Sequence, residues 1–107
     1  MPLVERRYAE ALVNIAAGSG SLDSFQHDLN GIVQIYRDEE DFRLTLLNPQ
    51  IKAGVKRDFI ERIFSTGVRD ELVGFLKLLV DKGRVASLPV VYEEFVNLAD
   101  KMRNVLN

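Results

Sequence analysis

Residues Phe75 to Phe95, FLKLLVDKGRVASLPVVYEEF, decide the reading of this chain. Phe75, Leu76, Leu79 and Val80 recur at helical spacing, and Leu78 adds a further apolar position. Gly83 stands where a left-handed C-terminal cap would end such a helix. Ser87 can accept a hydrogen bond from the free amides of a following helix. Pro89 suits that helix's first turn, where its missing N–H is not needed. The segment reads as a helical hairpin with little catalytic chemistry in it.

The same signals extend outward in both directions. Strict apolar alternation is scarce, and the three prolines, at positions 2, 49 and 89, punctuate rather than interrupt. Six helices are predicted. The first covers about Val4 to Ala17 and stops at the GSGS turn, residues 18–21. The second starts near Ser21 and carries the seam Leu22, Phe25, Leu29, Ile32 and Tyr36, with Gly31 as a weak point. The acidic cluster Asp38 to Asp41 opens a short third helix, about Glu39 to Leu47, with Phe42 and Leu46 inward. Asn48-Pro49 breaks the pattern. The fourth helix follows, with Ile51, Val55, Phe59, Ile60, Ile63 and Phe64 expected to face the core, and stops at Ser65-Thr66-Gly67. The fifth covers about Val68 to Lys82. The sixth covers Leu88 to about Val105, with the seam Val91, Phe95, Leu98 and Met102. Short loops between amphipathic helices imply an all-α chain: a compact six-helix antiparallel bundle in a single domain, residues 1–107.

Composition bounds what such a bundle can do. The chain has 107 residues, 47% hydrophobic and 28% charged, enough for one core under an ordinary soluble surface. A formal net charge of −2 argues against a nucleic-acid binder, which shows a basic excess or stripe. Without cysteine there is no disulfide and no thiolate metal site, which fits a reducing compartment. No apolar run approaches a membrane span, and Glu5, Arg6 and Arg7 break the layout of a signal peptide. A native start at Met1 in a cytoplasm is the expectation.

Two helices have more apolar surface than one core needs. At 100° per residue, Val4, Tyr8, Ala11, Leu12 and Ile15 cluster on one side of the first helix, and Ala9, Val13 and Ala16 extend the arc to roughly 200°, broken only by Glu5 near the helix start. On the fifth, Leu72, Val73, Phe75, Leu76, Leu79 and Val80 cover about 160°, with Leu78 beyond that arc near Gly74. A stripe of roughly 100° suffices to face one core. Either both helices are central, with neighbours on two sides, or they form an apolar groove for another helix. Ala9, Ala11 and Gly74 are small enough to let a partner backbone approach.

Reactive chemistry is sparse. The single histidine, His27, reads as a solvated surface residue. The run Asp38 to Asp41 splays its carboxylates and lacks the alternating ligands and central glycine of a calcium loop. The serines lack the strand-turn-helix context of a nucleophile elbow, and GSGS lacks the lysine of a phosphate loop. Lys52, Lys56, Arg57 and Arg62 give the fourth helix a basic side, but Asp58 and Glu61 lie on the same helix, so it reads as a solvated face. In the DKGR turn, Lys82 and Arg84 suit the negative end of the fifth helix. No cofactor, metal or catalytic residue is expected.

Three segments resemble the delta subunit of F-type ATP synthases, the family of the oligomycin-sensitivity-conferring protein. RRYAEALVNIA, residues 6–16, is similar to its opening Arg-x-Tyr-Ala-x-Ala-Leu pattern. LLNPQI, residues 46–51, is similar to its Leu-x-Asn-Pro-x-Ile turn. FLKLLVDKGRVASLP, residues 75–89, is similar to its Phe-Leu-x-Leu-Leu-x-x-x-Gly-Arg stretch with Leu-Pro following. Their order and spacing span nearly the whole chain. The resemblance implies a six-helix N-terminal domain with no catalytic role, binding the amphipathic N-terminal helix of an alpha subunit in a groove between the first and fifth helices. By position the implied contacts are Tyr8, Ala9, Ala11, Leu12 and Ile15, with Gly74, Phe75, Leu78 and Leu79. It further implies a stator component, peripheral to the cytoplasmic side of the bacterial plasma membrane. A C-terminal part docking on the peripheral-stalk b subunit would lie beyond Asn107, making this chain a fragment. Many relatives carry asparagine where this chain has Gly74, which removes a polar side chain from the implied contact. The alternative to this reading is an unrelated helical protein–protein adaptor.

Overall fold

The computed structural model describes residues 2–106, with side chains described from Pro2 to Asn104. Met1 and Asn107, on which the expected start and end rest, lie outside the described residues. Among the described residues there are six α-helices and no strand: α1 (Leu3–Gly18), α2 (Leu22–Asp38), α3 (Glu40–Leu47), α4 (Ala53–Ile63), α5 (Asp70–Lys82) and α6 (Leu88–Leu106). The all-α, six-helix expectation holds. The chain divides into two units. One takes the residues up to Val33 and those from Ser87 on; the other is Gln34–Ala86.

In the first unit α1 packs against α6. Ala9, Leu12, Val13 and Ala16 are the buried residues of α1. On α6, Leu88, Val91, Phe95 and Ala99 recur every three or four residues and are buried. Phe25 of α2 stacks on Phe95. The turn after α1 is closed locally: Ser19 Oγ donates to the Ala16 carbonyl at 2.9 Å, and Gly20 adopts φ +71°, a left-handed conformation that suits glycine. Arg103 ties α6 to α2, donating to Asp23 Oδ1 at 2.8 Å and Gln26 Oε1 at 2.8 Å, and it also pairs with Asp100 at 2.9 Å.

In the second unit the core of α3 and α4 is aromatic. Phe42 lies 5.8 Å from Phe59 and 5.9 Å, edge-on, from Phe64. Arg43 Nη1 donates to the carbonyls of Tyr36 and Arg37, both at 2.9 Å, satisfying acceptors that the end of α2 leaves open. At the Asn48-Pro49 break, Asn48 Oδ1 accepts from the Gln50 amide at 2.9 Å, a side-chain turn that fixes the exit from α3. α4 packs against α5, and Arg57–Asp81 and Glu61–Lys77 pairs run beside that packing.

The predicted cap of α5 is present. Gly83 has φ +66°; its amide reaches the Val80 carbonyl at 3.1 Å, and the Arg84 amide reaches the Leu79 carbonyl at 2.8 Å. These two bonds are those of a Schellman motif. The start of α6 departs from the expectation. Ser87 is not an extended cap but the last residue of a 3-10 turn, Val85–Ser87, that runs directly into α6.

Two helix starts also differ: α4 begins at Ala53 and α5 at Asp70, past Ile51 and Val68. Of the six α4-region residues expected inward, only Ile60 and Phe64 are buried; Ile51 and Phe59 are half-buried. Val55 and Ile63 are 58% and 42% exposed. The helix is apolar on more of its circumference than its packing covers.

Candidate functional site

The wide apolar arc of α1 divides into two stripes. One, with Ala9, Leu12, Val13 and Ala16, is buried. The other, with Val4, Tyr8, Ala11 and Ile15, advances by four, three and four residues along the surface, from half-buried Val4 and Tyr8 to exposed Ala11 and Ile15. Ile15 is 44% exposed. The five α1 residues implied as contacts therefore separate: Tyr8, Ala11 and Ile15 reach the surface, whereas Ala9 and Leu12 are buried.

The arc on α5 divides less evenly. Leu72, Val73, Phe75, Leu76, Leu79 and Val80 are buried. Gly74 and Leu78, one turn apart, are exposed, Leu78 to 39%. Phe75 and Leu79 thus belong to the core side of the helix, and Gly74 and Leu78 to its surface. A Cβ built on Gly74 meets no atom within 4 Å, so the surface there is open above the backbone. The α1 residues belong to the first unit and the α5 residues to the second, and each stripe is built by its own helix.

The chemistry of these surfaces is apolar attachment. Neither stripe carries a nucleophile; Glu5, half-buried at the start of α1, interrupts the inward arc, and Arg6, Arg7, Glu10 and Asn14 supply the polar remainder of the helix. His27 is exposed on α2. Among the described residues no three His, Cys, Asp or Glu side chains are grouped to hold a metal ion. The one pKa shift among the described groups lies elsewhere: burial raises the Tyr36 phenol above its ordinary value, with the nearby Arg43 charge opposing. Among the described residues no helix is long and apolar enough to cross a membrane.

Periodicity located both wide arcs but not the line along which each divides. The outward stripe on α4 and the anchoring roles of Arg43 and Arg103 escaped it. The only sequence signal for the arginines was their place near helix ends.

Comparison with known proteins agrees with the three motifs. The family model for the ATP synthase delta (OSCP) subunit matches residues 4–107. The ATP synthase subunit delta of Acetivibrio thermocellus is 36% identical over 107 residues, covering 100% of this chain and 60% of that protein. That of Ruminiclostridium cellulolyticum is 32% identical over the same span, with the same coverage. That of Brevibacillus brevis is 34% identical over 100 residues, 94% of this chain and 57% of the relative. The chain spans about 60% of the length of the first two of these relatives. With a match to all but its first three residues, the chain belongs to the ATP synthase delta (OSCP) subunit family.

Proposed function

We propose that residues 1–107 form the head-binding helical domain of a stator subunit of an F-type ATP synthase. The domain holds the amphipathic N-terminal helix of an alpha subunit against the exposed apolar residues of α1 and α5. Tyr8, Ala11 and Ile15 supply the contacts on α1, and Gly74 and Leu78 those on α5. Ala9, Leu12, Phe75 and Leu79 hold the two helices in place from their buried sides. The family match supports the complex, and the exposure of Ala11 and Ile15 on the apolar stripe of α1 is the observation that carries the contact.

The role is mechanical and non-catalytic. The rotor applies torque to the catalytic head, and the head must be held against it. A clamp of this kind requires affinity and stiffness; apolar surface on a preformed helix supplies both. The remaining length of the subunit, which the relatives carry, docks on the peripheral-stalk b subunit. The assembly sits peripherally on the cytoplasmic side of the bacterial plasma membrane.

Titration of the isotope-labelled chain with a peptide of the cognate alpha N-terminus tests the contact. Amide shifts should concentrate at Tyr8, Ala11, Ile15, Gly74 and Leu78. Unperturbed resonances along both helices would sink the proposal, and with it the preference for this partner over an unrelated one.

A further inference from the structure

We propose that the outward face of α4 is a second docking surface, for an acidic amphipathic helix of a partner protein. On a wheel of 100° per residue, Arg62, Val55, Phe59, Ile63 and Lys56 fall within a sector of about 120°. The sector holds three apolar side chains and two cations, and no carboxylate. Lys52 precedes the helix as its N-cap residue, and the first turn of α4 carries no acid. Asp58 borders the sector beside Arg62, and Glu61 lies on the far side, paired with Lys77.

Two features separate this face from an ordinary solvated one. Its apolar members are large: Val55 and Ile63 stand in solvent, while Phe59 is half-covered through Phe42. Its cations are uncommitted. Among the described residues, Lys52, Lys56 and Arg62 make no ion pair, whereas Arg57, on the α5 side of the same helix, is held by Asp81. An occupant must therefore bring an apolar stripe and carboxylates along its edge, which an acidic amphipathic helix does. An anionic membrane matches less well. The apolar strip is one helix wide, and the chain's net charge of −2 opposes a negatively charged surface.

The proposal is independent of the alpha-helix contact, because α4 carries none of the residues invoked there. The probe is a synthetic amphipathic helix of about five turns, with a leucine stripe flanked by glutamates. A lysine-flanked twin and vesicles of phosphatidylglycerol serve as alternatives. With the full labelled chain, the acidic probe should shift the amides of Val55, Phe59 and Ile63, and binding should weaken as salt rises. The double variant Lys56→Glu, Arg62→Glu should weaken it about tenfold. Val55→Asp should do so as well, and circular dichroism of these variants, at exposed Val55 and Arg62 and half-buried Lys56, should stay unchanged. Variants on α1 and α5 should leave these shifts in place. Shifts confined to α1 and α5, equal response to the lysine twin, or response to vesicles but not to the acidic probe would each overturn the inference.

Discussion

Phe25 and Phe95, seventy positions apart in the chain, stack with centroids 5.7 Å apart and planes 13° from parallel. Both rings are fully buried. They join α2 to α6, so contacts distant in sequence close the first unit. Phe95→Ala empties this site and should lower unfolding stability by about 3–5 kcal/mol in urea titrations followed by circular dichroism. Phe95→Leu keeps most of the volume and should cost less.

Two glycines of the α5 hairpin should respond with opposite signs. Gly83 holds a left-handed φ of +66° and closes the Schellman bonds, so Gly83→Ala should destabilise by about 1 kcal/mol. Gly74 lies inside the helix with open space above it, so Gly74→Ala should stabilise by about 0.5–1 kcal/mol. Thermal melts of the two variants check both signs.

Tyr36 gives the fold an alkaline limit. Its phenol is buried, which raises its folded-state pKa above the unfolded value of about 10. Above that pH the unfolded chain releases the proton more readily than the folded one. The stabilisation is complete below about pH 10 and is lost as pH rises through the folded value. Stability of the native chain should therefore fall with pH there, and Tyr36→Phe should flatten that part of the profile. Arg43→Met removes the opposing positive charge and should move the Tyr36 titration, followed by phenolate absorbance, further up.

The divided arcs make neighbouring substitutions separable. Ala11→Asp and Leu78→Asp place charges on exposed stripes; they should leave the melting temperature nearly unchanged and weaken binding of the alpha N-terminal peptide at least tenfold, about 1.4 kcal/mol. Leu12→Asp, one residue from Ala11, buries a charge in the core and should unfold the first unit. Equal binding by the Ala11→Asp variant and the native chain would remove α1 from the contact.

Much of this architecture was legible in the chain. Apolar spacing located all six helices, and Gly83 and Pro49 marked real breaks, because cap and breaker chemistry is local. The inward face expected of α4 was wrong in part, for a different reason. Val55, Phe59 and Ile63 form one stripe and Ile60 with Phe64 another; periodicity records both, and only packing decides which is covered. The same limit applied at α1, where Leu12 and Ile15 are equally apolar and three residues apart, yet one is buried and the other is not. Arg43 was illegible because its acceptors are backbone carbonyls, which carry no sequence signature.

The two-stripe architecture of α1 also bears on the kinetics of anything that lands on it. Its buried stripe folds the helix before an encounter takes place, so the surface has no ordering transition of its own to complete. The entropy of ordering then falls entirely on the incoming segment. Residence time on α1 should accordingly follow the helical propensity of the visitor, while changes to its solvent-facing side chains that preserve that propensity should leave it unaltered.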